Sequence, residues 1–373
     1  MSLRRSAAAC AALAGVLLLA VLPAVGTATA AGTAAAPRER WDTRVLAHVQ
    51  SPGYPAFVYA HPNGRVYAGT YTNPTGDTIR SRVLEYTRSG TLVRSWTVPG
   101  QDLTEDHGVQ VATSDARGRL VLLEKSTSRV MRLNLKTGRF STYATVPDLP
   151  TCPPGTEPDG RCTPNVVDGP AIPNYAAWGK GGVLYLTDYG QAVIWRVPPG
   201  GGPPKAWFSD ARLDGTEFGT AGLLMAPGHR ALLLTQQSSI DGPEATQGKL
   251  FRLSVRDGRP GTMRRLWTSL PGDLPDGFGI GRSGRIYVGN AGLSNQLVVL
   301  SPEGVEIERF PELPLTGDNG SEIPFDTPSS ATFSGRRVLV ANQSFTGDTS
   351  HHAILDVYVG ERGVPAWIPH SAG

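Results

Sequence analysis

PDGFGIGRSGRIYVGNAGLSNQLVVLSPEG, residues 275–304, holds one copy of a repeating unit with almost nothing inserted. It opens on an acidic turn, Asp276-Gly277. A short apolar strand over 278–280 runs to a tight turn at Arg282-Ser283-Gly284, a second over 286–288 returns, and a third over 296–300 follows a Gly-rich link. Strand, Gly turn, strand, turn, strand is the pattern of a β-meander.

The same grammar recurs along the chain. Second-strand segments stack as GRVYAGT from Gly64, GRLVLLE from Gly118, GVLYLTD from Gly182, GHRALLLTQ from Gly228, GRIYVGN from Gly284 and GRRVLVAN from Gly335. A spacing of roughly fifty residues suits a four-stranded blade, whereas solenoid units are shorter and parallel α/β units need amphipathic helices that the sequence lacks. The expected fold is an all-β, six-bladed β-propeller. The first five blades are read over 55–99, 107–147, 174–214, 220–272 and 275–315. The sixth supplies only three strands, around 331–334, 338–341 and 353–359. TRVLAHV, residues 43–49, alternates like a strand and is expected to close the ring on that last blade.

Residues 1–30 read as an export signal: Arg4 and Arg5, an apolar core, then Ala28-Thr29-Ala30 as a small-residue cleavage site. The mature protein is expected outside the cell, with no stable membrane span. Cys10 sits at the start of the apolar core, which is the wrong place for lipid attachment. Residues 31–42 read as a flexible lead-in and 43–369 as one propeller domain. The formal charge of +3 includes the two signal arginines. The mature chain is therefore near neutral and offers no basic block to nucleic acid. A monomer with a small-molecule substrate or ligand is expected. Cys152 and Cys162 bracket a Pro/Gly-rich segment in an exported chain, so a disulfide is expected. Two thiols with no neighbouring His or Cys cannot close a tetrahedral metal site. The long connection over 148–173 that carries them is expected to form a lid or rim feature.

In a propeller the innermost strands run along the central channel. Residues at the start of each first strand, and at the end of each second, should then gather on one face. The first set reads Gly53/Tyr54, His107, Asn174, Thr220/Ala221, Asp276 and Thr327/Ser329, the second Thr70, Glu124, Asp188, Gln236, Asn290 and Asn342. Polar residues dominate both lists although the strands between them are apolar. Asp or Asn before Gly also makes turns, so each position has a purely structural alternative. Oxygen donors with few sulfurs and imidazoles suit a hard divalent cation such as calcium. Asp276, Asp188 and Asn174 are the candidate metal ligands, and Asn174, Asn290 and Asn342 the candidate substrate contacts. Asp276 and His107 are the candidate proton-transfer groups. His351-His352 reads as solvated. Asp276 and Asn174 each lie eight residues before the Gly of their own hairpin turn, Gly284 and Gly182, which places them at equivalent heights. Trp178, Trp195, Trp207 and Trp267 read as packing between blades. Gly200-Gly201-Gly202 precedes no helix and is no phosphate loop, and no GxSxG elbow or HExxH is found.

The stretch over 275–304 resembles the Asp-Gly blade of the senescence marker protein/gluconolactonase family, and PNYAAWGKGGVLYLTDYGQAVIWRV resembles its Pro-Asn blade. The resemblance implies a six-bladed propeller with one divalent cation near the axis, usually calcium, and lactone hydrolysis in active members. By position Asp276 matches the family's metal aspartate, also its proposed base, and Asn174 its substrate-side asparagine. Two departures stand out. The family's first-blade glutamate is replaced by Gly53 and Tyr54, and its fourth-blade asparagine by Thr220-Ala221. A cation would then need Asp188, Glu124 or Glu217 as a substitute ligand. Three functions stay open: a metal-dependent lactone or ester hydrolase, a non-hydrolytic propeller like strictosidine synthase, and a non-catalytic binding scaffold.

Overall fold

The computed structural model describes residues 37–50, 53–73, 76–163, 170–216, 218–239, 246–345 and 348–373. The expected export signal over residues 1–30 and Glu217 lie outside them. Six four-stranded antiparallel sheets follow one another around a central channel. Blade 1 is β2 (Tyr54–Ala60), β3 (Val66–Tyr71), β4 (Arg82–Tyr86) and β5 (Leu92–Thr97). Blade 2 is β6 (Val109–Ser114), β7 (Leu120–Glu124), β8 (Arg129–Leu133) and β9 (Phe140–Thr145). Blade 3 runs from β10 (Pro173–Trp178) and β11 (Leu184–Asp188) to β12 (Val193–Val197) and β13 (Lys205–Ser209). Blade 4 holds β14 (Thr220–Met225), β15 (Ala231–Gln236), β16 (Lys249–Arg256) and β17 (Arg259–Thr268). In blade 5, β18 (Pro275–Ile280) and β19 (Ile286–Asn290) precede β20 (Leu297–Leu300) and β21 (Glu306–Phe310). Blade 6 consists of β22 (Thr332–Ser334), β23 (Arg337–Asn342), β24 (Ala353–Tyr358) and, as its outer strand, β1 (Thr43–His48).

Second strands such as β7, β11, β15 and β19 are buried along their whole length, because each is flanked in its sheet and covered on both faces by neighbouring blades. Outer strands such as β5 and β21 are largely exposed. That gradient explains why the second strands are continuous Val/Leu/Ile runs. Three of the four tryptophans singled out above link blades: Trp178 Nε1 donates to Ser114 O (2.8 Å), Trp207 Nε1 to Gly258 O (2.8 Å) and Trp267 Nε1 to Glu306 Oε2 (3.2 Å). Trp195 stays inside blade 3.

The ring closes as expected, with β1 pairing antiparallel to β24 from Thr43↔Val357 to His48↔Ala353. The expected lead-in ends earlier than the sequence implied, since residues 38–42 are docked. Arg38 bridges Asp42 (2.9 Å) and Asp356 (2.8 Å), Arg40 meets Glu308 (2.7 Å), and Trp41 stacks on Phe310 at 4.6 Å. Charged and aromatic side chains thus fasten the closing strand to blades 5 and 6. Cys152 and Cys162 are bridged. Their loop is held to blade 3, where Leu149 N donates to Gln191 Oε1 and Ala192 N to Thr163 Oγ1. Among the described residues no helix is long and apolar enough to cross a membrane.

Candidate functional site

Each blade pairs one residue at the head of its first strand with the last residue of its second. The pairs are Pro55↔Thr70, Val109↔Glu124, Pro173↔Asp188, Thr220↔Gln236, Pro275↔Asn290 and Pro328↔Asn342. In blades 1, 3, 4 and 5 the register slips immediately afterwards, so two residues oppose one. Such a bulge bends the strand and re-aims its side chains. The position after each pair is occupied, in blade order, by Ala56, Gln110, Asn174, Ala221, Asp276 and Ser329. Hydrogen bonds join these positions from blade to blade: Thr187 Oγ1 to Ala221 O (2.6 Å), Thr235 Oγ1 to Asp276 O (2.6 Å), Gly277 N to Ser329 O (2.8 Å) and Ser329 Oγ to Ala56 O (2.5 Å). A ring around the axis results. It contains the expected Asn174, Ala221, Asp276 and Ser329. In blades 1 and 2 it contains Ala56 and Gln110 instead of Gly53/Tyr54 and His107.

Asp276 is 6% exposed, and groups from several blades surround it. Burial pushes its carboxyl up to about 8, opposed by the Tyr175 hydroxyl and the Gln237 amide beside it. Neither donor satisfies Oδ1, which is buried without a hydrogen-bond partner. Tyr175, from blade 3, crosses the channel: its hydroxyl donates to Ser329 O (3.3 Å) and its ring meets Phe57 edge to face at 5.1 Å. Gly277 is required there, because a Cβ at that position would stand 2.4 Å from the Tyr175 hydroxyl oxygen. Tyr54 and Tyr71 from blade 1 are also raised, first by burial and then by neighbouring charges that include Asp276. Two further ring residues carry buried oxygens with no partner, Gln110 Oε1 and Asn174 Oδ1.

The strand-end set has a different job in most blades. Asp188 accepts from Ile172 N (2.9 Å), Gly190 N (3.1 Å), Gln191 Nε2 (2.7 Å) and Trp195 Nε1 (2.9 Å). Burial raises its carboxyl to about 6 against the pull of those donors. Glu124 is likewise filled by Gln101, Ser126 and Thr127. Asn342 accepts from Asp326 N and donates to Pro324 O and His351 O. These residues cap loops, so Asp188 and Glu124 have no free lone pair for a metal, and Asn342 has both amide hydrogens committed and its oxygen already engaged by Asp326 N. Two depart from this: Asn290 is fully buried with neither side-chain polar atom bonded to a described residue, and Gln236 bonds Asp214 O through Nε2 but leaves Oε1 without a described partner.

His107 is also committed. Its Nδ1 faces Glu105 O (3.1 Å) and its Nε2 faces Ile79 O (2.8 Å), with Asp77 at 3.4 Å. Neither nitrogen is free to take a proton from a substrate, so the expected catalytic role does not fit this geometry. His352, read as solvated, is 1% exposed. Its ring lies 6.2 Å from that of Tyr54 and beside the Ser344 backbone, with no well-formed hydrogen bond to either nitrogen from a described residue. Burial lowers its pKa, which keeps the imidazole neutral. The sequence reading passed over two residues, Gln110 and His352. Gln110 stands eight residues before Gly118, the same spacing that picked out Asn174 and Asp276. His352 left no such trace, because its burial comes from contacts with blade 1.

No group of three or more His, Cys, Asp or Glu side chains able to hold a metal occurs among the described residues. The ring's buried oxygens without a described partner are instead those of one carboxylate, Asp276, and of the amides of Gln110 and Asn174. Oxygen donors of this kind suit a hard cation that keeps some of its water. The three orphaned oxygens fit it, and Asp188 is not among them.

No family model matches the chain, and no curated relative matches it in sequence. Solved structures do share its fold. A gluconolactonase from Xanthomonas campestris is 18% identical, with a TM-score of 0.55 over 84% of this chain and 88% of that one. Regucalcin, a calcium-binding protein from Agrobacterium tumefaciens, is 14% identical, with a TM-score of 0.56 over 87% and 97%. Virginiamycin B lyase from Staphylococcus aureus is 15% identical, with a TM-score of 0.51 over 83% and 82%.

Proposed function

We propose that the channel mouth is the small-molecule site of an exported hydrolase, a divergent relative of the gluconolactonase and regucalcin propellers. Its substrate would be a lactone or related ester, with a divalent cation, calcium by expectation, bound at Asp276. The observation that carries this reading is the trio of buried oxygens on Gln110, Asn174 and Asp276 that no described residue satisfies. Orphaned buried acceptors are costly, and a bound cation or donor-bearing ligand relieves that cost. Shared fold with a gluconolactonase, a calcium-binding regucalcin and a lyase supports a site of the hydrolase or lyase kind.

A divalent cation, when bound, polarises a carbonyl and stabilises charge developing on its oxygen. Asp276 holds its proton up to about pH 8 when nothing compensates its charge. It would give that proton up if a cation replaced the missing solvation. Gln110 and Asn174 orient the polar end of the substrate with their amides. His352, kept neutral by its burial, would accept the proton of the attacking water.

Calorimetry of the purified protein with millimolar calcium tests this. Binding should release a proton at pH 7, visible as a dependence of the heat on the buffer, and Asp276→Asn should weaken affinity at least about tenfold. His352→Gln should lower lactone or ester hydrolysis by about 10²-fold or more, whereas His107→Gln should leave it near wild type. If the wild type binds no divalent ion at millimolar calcium, the hydrolase reading gives way to a non-catalytic binding propeller.

A further inference from the structure

A cavity of about 770 Å3 opens at the opposite end of the channel, on the face that carries the turns between first and second strands. Its walls are the far ends of the first strands and their neighbours, among them Tyr59, Trp178, Met225, Ile280 and Phe333. Tyr175 and Phe57 form its inner end and separate it from Asp276. The cavity is thus apolar inside and distinct from the mouth. Around it stand five arginines, Arg65, Arg88, Arg282, Arg336 and Arg362, and no Asp or Glu lines it. Arg65 lies 3.6 Å from Glu85, and Arg336 donates to Gly360 O. The guanidinium groups of Arg88, Arg282 and Arg362 are exposed and bond to no described residue.

The C-terminal tail builds part of this rim. Gly363 N donates to Gly335 O, Val364 N to Ile280 O and Arg282 N to Arg362 O, while Trp367 stacks on His229 at 3.8 Å and Ala116 N donates to Ala372 O. The tail therefore passes over the turns of blades 6, 5, 4 and 2. At blade 3 it runs so close to Gly182, itself at φ +80°, that a Cβ there would stand 2.2 Å from Ser371 O. Val364, Pro365 and Trp367 face the cavity.

We propose that this cavity is a second ligand site, which takes a free carboxylic acid with an extended apolar body. The volume is that of a small-molecule pocket. The apolar walls would take the body of the ligand. Arg88, Arg282 and Arg362 present guanidinium forks that match a carboxylate, and no Asp or Glu lines the cavity to compete for them, Glu361 beside the rim being engaged by Ser283 and Tyr287.

Dodecanoate, below its micelle concentration, is the probe, with binding read by calorimetry and by the emission of Trp178 and Trp367. Dodecanoate should bind, dodecanol at least about tenfold more weakly, and dodecyltrimethylammonium not measurably. Affinity should rise from octanoate to dodecanoate by up to about fourfold per methylene. The triple variant Arg88→Ala/Arg282→Ala/Arg362→Ala should lose at least about tenfold in affinity with an unchanged melting temperature, since none of the three makes a bond that holds the fold. Equal binding of the three head groups, no chain-length dependence, or an unaffected triple variant would overturn the proposal. So would cosedimentation with phosphatidylglycerol vesicles without binding of the free acid, which would assign the face to a bilayer surface.

Discussion

Burial holds the Asp276 carboxyl up at about 8, against about 4 for an aspartate in an unfolded chain. Between those values the folded state binds the extra proton, so Asp276 favours folding most below pH 4 and progressively less as the pH rises to 8. Asp276→Asn removes that dependence. In calcium-free buffer the variant should gain on the wild type by up to about 1.4 kcal/mol per pH unit between pH 4 and pH 8. Urea unfolding of both proteins at pH 5 and pH 8 measures it, and equal differences at the two pH values would contradict the burial of this group. His107 sits at the other extreme, tied to two carbonyls. His107→Gln should cost about 1–2 kcal/mol of stability and leave calcium affinity unchanged, as unfolding and calorimetry would show.

At the scale of elements, the bulge at the head of the first strand is what makes a site possible. It carries Asp276 and Asn174 toward the axis, while the residue that closes the second strand is drawn back to cap a loop. The two positions look alike in sequence, both polar and both beside turns. They differ in the donors that arrive: Asp188 receives four, from Ile172, Gly190, Gln191 and Trp195, and Asp276 Oδ1 receives none. The alternation and Gly turns of the sequence were enough to place every blade and to identify β1 as the closing strand, because those signals are local. A chain shortened to begin at residue 50 would expose the edge of β24, which β1 covers from Thr43 to His48. An unpaired edge templates association. The shortened protein should elute in part in a larger form than the full chain on size exclusion, and a peptide of residues 38–49 should restore the full chain's elution. An elution identical to that of the full chain without the peptide would show that the seam is held elsewhere.

Taken whole, the molecule is a ring closed by strand pairing and not by its disulfide. The bridge between Cys152 and Cys162 ties down a loop before blade 3. Reduction should therefore cost about 2–3 kcal/mol, as expected for a loop of this length, and leave a single cooperative unfolding transition. Two transitions by calorimetry would mean that blade 3 unfolds apart from the rest. The ring also has two ends of opposite character: a polar mouth with unsatisfied oxygens and an apolar cavity rimmed by arginines. Tyr175 lies between them. The Gly-Arg of two hairpin turns, in GRVYAGT and GRRVLVAN, held a clue to the second end, since Arg65 and Arg336 stand on its rim. Neither end exists in any single repeat. The sequence by itself determined the six blades, the closing strand, the cysteine pair and the height of Asp276 and Asn174, because period-two burial, glycine turns and repeat spacing act within a few residues of chain. Only the tertiary structure decided which polar side chains are free, since the donors that fill Asp188 and Glu124, and the carbonyls that hold Asn342 and His107, come mostly from loops that fold back onto them. The arginine rim was likewise decided in three dimensions, where the C-terminal tail brings Arg362 alongside turns some eighty and three hundred residues earlier in the chain.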